Sequence, residues 1–452
     1  MIPKTEKRNG DQKKREVKKE QKRARKKLQE MVMDFIHVAH EEAVEKDRFN
    51  PIFRKCGEMS DEDFFFYCTV RAMGQFESGR AFLQSVFLKY NWRLPRTRFF
   101  QALQSKRRMA VVRKTASEVF RMLERQSTMA GINFLSAFPE LEAYAVFNGD
   151  GHFIEHAAHI VPTEKKTFAA GSIYVQSLRT GNLLPLCSIT DGDSKPHEMP
   201  VFRKAVEDIP ASWVSGYAKT LWVLDMAYVD NRWWGFQRQK GHYYISRLKS
   251  NASPIKCGDL PYDKDDPINK GVTASYQAGM SCGWLFRVVE YTDPETGEAY
   301  SFVTNLDRQI RPGLIAWLYF KRWNIEKNFD TTKNTMKEKK AWARGKGALT
   351  IQSHAIAFAY NIMRLFHEMI ACEQREEAEN AETLSERKYR KALKRRQEKA
   401  AGVGREIHPM LLTKRMARIP SAFVRCFRLC FFDNMAIGKT WGLLTNTLYR
   451  QL

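Results

Sequence analysis

The run Thr220-Leu-Trp-Val-Leu-Asp-Met226 constrains the fold most. Short, continuous and apolar, it predicts a central strand buried on both faces, which requires helices packed against both sides of a largely parallel sheet. The expected class is therefore α/β. The run also delivers a carboxylate at its far end. A buried, unpaired Asp225 is costly, so it must cap a helix or hold a cation, and we favour the cation.

Other strands follow from alternation and turn residues. Leu141 to Phe147 reads as a strand ending in Asn148-Gly-Asp-Gly151, a turn signal that leaves Asp150 at a strand end. Ser172–Leu178 and Asn182–Ile189 form an expected hairpin around Arg179-Thr-Gly181, with a helix between Pro200 and Val206 to follow. Residues 230–310 read as a β-rich insertion, with strands at His242–Leu248, Leu285–Tyr291 and Ala299–Thr304. Asp293-Pro-Glu-Thr-Gly297 joins the last two as a hairpin.

A second stretch, Trp317 to Lys333, predicts a helix. At about 100° per residue from Tyr319, Arg322 falls near 300°, Glu326 near 340° and Lys333 near 320°. Leu318, Ile325, Phe329 and Met336 form an apolar stripe beside this polar arc. A carboxylate flanked by an arginine, a lysine and a tyrosine suits a group that holds a metal ion beside a phosphate, although a solvated helix face has the same spacing.

Charge narrows the partners. With 75 Lys and Arg against 51 Asp and Glu, the net charge is +24, which attracts polyanions, nucleic acid first and an anionic membrane surface second. Eight scattered cysteines lack zinc-finger spacing and read as reduced. The apolar run from Thr350 to Ile370 is interrupted by Gln352, His354, Asn361, Arg364 and His367, so it predicts a buried helix and no membrane span. The charged start, with Lys4, Lys7 and Arg8, leads us to expect no secretory signal and a soluble, intracellular protein. No phosphate-cradling Gly-x-x-x-x-Gly-Lys loop occurs, so ATP use is not expected. His152, Glu155, His156 and His159 lack the His-Glu-x-x-His arrangement of a zinc site.

Four regions are expected. Residues 1–30 form a basic charged arm. Residues 31–138 are helical and DNA-binding, with Ser78–Tyr90 and a basic helix Arg96–Arg108 arranged as a major-groove reader would be. Residues 139–349 form the catalytic domain. Residues 350–452 form a helical C-terminal region for dimerisation or DNA contacts, including a charged helix from Glu373 to Lys399.

Asp150, Asp225 and Glu326 thus come from distant sequence. If they converge, hard oxygen ligands select Mg²⁺ or Mn²⁺, and an ion pair roughly 4 Å apart suits in-line displacement at a phosphodiester. Tyr319, Arg322, Glu326 and Lys333, separated by two, three and six residues, resemble the Tyr-Arg-Glu-Lys signature of cut-and-paste insertion-sequence transposases in the DDE superfamily. Asp150 in Asp-Gly-His152, Asp225 in Val-Leu-Asp-Met-Ala-Tyr228 and Arg322-Trp-Asn-Ile-Glu326 are similar to that group's acidic motifs.

The resemblance implies a ribonuclease-H-like catalytic domain with a β-rich insertion before the glutamate helix. It implies that Asp150, Asp225 and Glu326 hold two divalent ions per active site, Mg²⁺ with Mn²⁺ as substitute, while Tyr319, Arg322 and Lys333 grip phosphates. Trp284 and Trp323 are candidates to stack a flipped base, and Asp230 and Asp330 are alternative carboxylates. The implied partners are the element's terminal inverted repeats, target DNA and a second copy of the chain, and the implied location is cytoplasmic and nucleoid-associated, as in a prokaryote. The rivals are a metal-dependent nuclease of the same fold and an inactive, domesticated DNA-binding protein.

Overall fold

The computed structural model describes residues 24–54, 59–74, 76, 78–91, 96–154, 170–190, 198–207, 209, 216–280, 282–336, 340–343, 345–378, 381–402, 404 and 419–450. The basic arm lies largely outside them, as do Glu155, His156 and His159. Among the described residues the N-terminal helices are α1 (Leu28–Lys46), α2 (Asp61–Met73), α3 (Gly79–Tyr90), α4 (Arg96–Gln104) and α5 (Lys106–Met129). Ser105 caps α5 by accepting from the Arg108 N–H, so the single basic helix expected over 96–108 is two. Arg107 and Arg108 turn inward onto Asp61, at 2.7 and 2.9 Å, and do not serve a groove-reading face. Arg96, Arg98, Gln101, Gln104 and Lys106 remain exposed.

A nine-stranded sheet follows, in the order β3-β2-β1-β4-β5-β9-β8-β7-β6. Its first half comprises β1 (Tyr144–Ile154), β2 (Ala170–Ser177), β3 (Leu183–Thr190), β4 (Lys219–Leu224) and β5 (His242–Arg247), with α6 (Glu198–Glu207) and α7 (Asn231–Gln239) between strands. β1, β4 and β5 are parallel neighbours, while β2 and β3 continue antiparallel from β1. The strands β6 (Ile255–Asp259), β7 (Val272–Gly279), β8 (Leu285–Thr292) and β9 (Ala299–Thr304) extend the same sheet, β9 running antiparallel beside β5. The insertion is thus a continuation of the central sheet.

The β4 run behaves as its composition requires. Leu221 and Val223 enter the core on one face, beneath α8 (Pro312–Lys321). Trp222 and Leu224 enter the core on the other, with Phe202 of α6 and Trp234 of α7.

The remaining helices are α9 (Trp323–Asp330), α10 (Lys346–Glu377), α11 (Leu384–Ala401), α12 (Ser421–Phe432) and α13 (Ile437–Tyr449). The charged helix expected over 373–399 is divided, since Thr383 and Glu386 form a capping box that starts α11 afresh. The N- and C-terminal helices share one core, in which Val32, Phe65, Phe358, Phe423 and Leu444 are all buried.

α10 also covers the β3 edge of the sheet. Its Asn361 accepts from the Leu183 N–H at 2.7 Å and donates to the Leu183 carbonyl at 2.8 Å, replacing the strand that β3 lacks. Arg364 donates to the Thr180 carbonyl at 3.0 Å across Gly181, whose φ of +81° and contact with that guanidinium leave no room for a side chain. Among the described residues no helix is long and apolar enough to cross a membrane.

Candidate active site

Asp150 and Asp225 sit next to each other on the sheet. The parallel register pairs Gly149 of β1 with Leu224 of β4, so the following residue on each strand is an aspartate. Asp225 lies one residue past β4 and its Oδ1 accepts from the Met226 N–H at 2.7 Å. Asp150 is not at a strand end. β1 runs on to Ile154, its hydrogen bonds to β2 overriding the Asn-Gly-Asp-Gly turn preference.

Glu326 arrives on α9, joined to Asp150 through one buried side chain. The Arg322 guanidinium lies 3.2 Å from Asp150 Oδ2 and 2.9 Å from Glu326 Oε1. Arg322 is 6% exposed. Burial disfavours its charge, but Asp150, Tyr319, Glu326 and Asp225 outweigh that and hold its pKa above the ordinary value. Burial likewise pushes the Asp150 carboxyl up, to about 6; Arg322 and the Gly151 N–H pull against this, and the charges of Glu326 and Asp225 reinforce it. Glu326 and Asp225 are therefore both within electrostatic reach of Asp150.

The stretch over 317–333 is not one continuous helix. α8 stops at Lys321, Arg322 forms a turn, and α9 begins at Trp323. Asn148, on β1, supplies the reason: its Nδ2 lies 3.5 Å from the Lys321 carbonyl and 3.3 Å from that of Arg322. Ile325 N–H then bonds to the Arg322 carbonyl, three residues back, tightening the turn. The break splits the apolar stripe: Leu318 packs on the sheet, while Ile325, Phe329 and Met336 enter the helical core. Past Asp330 the chain forms a π-helical turn over Thr331–Thr335, closed by Met336 N–H to the Thr331 carbonyl at 3.0 Å. The simple angular reading of Lys333 fails there, and Lys333 is exposed.

Tyr319 is buried 5.1 Å from the Phe302 ring, with Arg322 over its own ring at 5.8 Å. Burial raises its phenol above the ordinary value. Trp323, next to Arg322, is 56% exposed. Trp284 is half-buried against Gly235 and Phe236 of α7.

Of the alternative carboxylates, Asp230 caps α7 by accepting from the Trp233 N–H and pairs with Arg203, and Asp330 accepts from Asn334. His152 packs its ring 4.6 Å from Phe329, under the helix bearing Glu326. Sequence reasoning missed Asn148, which it assigned to a turn, and Arg247, which ends β5 beside β4 and whose charge reaches Tyr319. A cation closing the next parallel strand was a usable signal for Arg247.

Among the described residues no three acidic, histidine or cysteine groups converge closely enough to hold an ion as placed, and Arg322 stands between Asp150 and Glu326. The donor chemistry still fits a hard divalent cation. All three carboxylates are hard oxygen donors within electrostatic reach of Arg322, and burial, ahead of any neighbouring charge, pushes the Asp150 carboxyl up.

No curated protein matches the chain. Among solved structures it is similar to a piggyBac transposase synaptic complex with hairpin DNA, at 11% identity and a TM-score of 0.33, over 76% of this chain and 74% of that one. A family model described as a transposase DDE domain matches residues 176–362, a span that starts downstream of Asp150 and contains Asp225, Tyr319, Arg322, Glu326 and Lys333. Over residues 176–362 the chain is therefore similar to the transposase DDE domain family.

Proposed function

We propose that the protein is a DNA transposase that binds the ends of its element, cleaves phosphodiester bonds there and joins the freed 3′-hydroxyl to target DNA. The observation that carries this reading is the placement of Asp150 and Asp225 on adjacent parallel strands, with Glu326 tied to them through Arg322. The transposase DDE domain match supports it. The sheet order around β1 and β4 supports a ribonuclease-H-like catalytic domain.

Asp150, Asp225 and Glu326 would hold two divalent ions, Mg²⁺ or Mn²⁺, which when bound activate the attacking oxygen and stabilise the leaving one. The protein's own groups do the rest. Arg322, buried and paired with Asp150 and Glu326, would place its positive charge beside a phosphate bound at the carboxylates. Lys333 and Trp323 are exposed on either side of Glu326 in the chain, one to hold a phosphate and the other to stack a displaced base. Asn148 fixes the turn that aims Arg322. A homodimer would bring two DNA ends together for joining.

The test is cleavage and strand transfer with labelled DNA carrying the sequences that flank the element, in Mg²⁺. The natural chain should cut at the end and join it to a second duplex. Asp150→Ala, Asp225→Ala and Glu326→Gln should bind without cutting. Cutting without joining would mark a nuclease, and undiminished cutting by Glu326→Gln would sink the assignment.

A further inference from the structure

The helix α11 lies remote in sequence from the three carboxylates, and its charge is sharply divided. At about 100° per residue from Arg387, the residues Glu386, Tyr389, Leu393, Arg396 and Ala400 fall between about 180° and 260°. This is the docked side: Glu386 pairs with Arg375 of α10, Ala400 is buried, and Arg396 makes a two-pronged contact with Glu295 at 2.8 and 2.7 Å. Glu295 belongs to the β8–β9 turn, so the helix is tied to both α10 and the far half of the sheet.

Arg387, Lys388, Lys391, Lys394, Arg395 and Lys399 fall between about −20° and 120°, opposite the docked side. All six are exposed, and Glu398 is the acid on their arc. A helix face left to water commonly alternates charge at four-residue spacing, which stabilises it. Here Arg387–Lys391, Lys391–Arg395 and Arg395–Lys399 are like-charged pairs that oppose helix formation until a polyanion neutralises them.

We propose that this face of α11 binds the DNA phosphate backbone without reading sequence. The thirteen residues from Arg387 to Lys399 place the cations along about 18 Å of axis, enough to follow one strand over about five base pairs. The inference rests on the reading that the chain acts on DNA, and adds to it a grip on the duplex outside the catalytic carboxylates.

The experiment uses the full chain with Arg387, Lys391, Lys394 and Arg395 all changed to Gln, which keeps helix propensity. Binding to a labelled duplex of unrelated sequence and to one carrying an element end is followed against salt. A matched variant changes Arg48, Lys240, Lys264 and Lys439, exposed cations on other elements, to Gln. At roughly 0.9 per phosphate contact, the α11 variant should lose about 3 to 4 from the slope of log affinity against log salt, equally on both duplexes. Its Tm should be no lower than that of the natural chain, and it should still cut DNA at saturating protein in low salt.

An unchanged slope, or an equal loss in the matched variant, would overturn the proposal while leaving the cleavage reading intact. Loss confined to the element end would overturn it as a sequence-independent grip. Binding of the natural chain to phosphatidylserine vesicles that falls with the α11 changes, without loss of DNA affinity, would overturn it in favour of a membrane. If the natural chain neither binds nor cuts DNA, both readings fall.

Discussion

Replacing Asp150 with Asn should stabilise the protein while ending cleavage, and the gain should depend on pH. In the folded chain burial lifts this carboxyl from 3.8 to about 6, a net figure that already includes the attraction of Arg322. The native state therefore holds the proton more tightly than the unfolded one. Stability linked to that proton is fully present below about pH 3.8 and is lost as pH rises through about 6. At roughly 1.4 kcal/mol for each tenfold change in proton affinity, the loss is about 3 kcal/mol at neutral pH.

Asn is neutral throughout and cannot suffer it. In a chelator, with divalent ions removed, the stability difference between Asp150→Asn and the natural chain should rise from near zero around pH 4 to about 3 kcal/mol at pH 7.5, a Tm difference of several degrees. Thermal melts across that range give the curve directly. A difference that stays flat with pH, or a variant less stable at pH 7.5, would show that burial does not disfavour the ionised Asp150 carboxyl.

Three further outcomes follow from the same geometry. Arg322→Ala removes the charge standing between Asp150 and Glu326, so Mn²⁺ binding without DNA, read by electron paramagnetic resonance, should tighten about tenfold while DNA cleavage falls; unchanged Mn²⁺ affinity would count against a shared cluster. Asn148→Ala strips the contacts to the Lys321 and Arg322 carbonyls, and should cost about 1–3 kcal/mol of stability and lower kcat with DNA affinity nearly unchanged; a variant of natural activity would show that the turn needs no pin. In DNA carrying 2-aminopurine near the cut, Trp323→Ala should abolish a stacking signal that Trp284→Ala leaves in place, because Trp284 already packs on Gly235; the reverse pattern would exchange their roles.

Much of the sheet was legible because short-range patterns decided it. The apolar run of β4 had to be buried on both faces, and Asp225 had to close it. Gly181, at positive φ, made the β2–β3 turn readable, and the β8–β9 turn was equally plain. What escaped depends on contacts between distant residues. The Asn-Gly-Asp-Gly stretch prefers a turn in isolation, yet its place between β2 and β4 draws it into the sheet. The break at Arg322 depends on Asn148, far upstream, and no periodicity within 317–333 encodes it. Arg107 and Arg108 looked like a groove-reading face until Asp61 claimed both. The extension of one sheet from β5 into β9 likewise depends on long-range pairing. Of the candidate site, residue types and order were readable in advance, whereas the guanidinium between two of the acids was not.

The proposed role of Asp150, Asp225 and Glu326 as one divalent-ion centre can be tested by where a bound ion cuts the chain. Fe²⁺ substituted for Mg²⁺, with ascorbate and peroxide, cuts a polypeptide backbone where the ion sits, and the fragments can be mapped by mass. A shared centre gives cuts near residues 150, 225 and 326 together, suppressed by excess Mg²⁺ and lost in Glu326→Gln. Cuts confined to other segments, or cuts at these three that Glu326→Gln and Mg²⁺ leave unchanged, would contradict it.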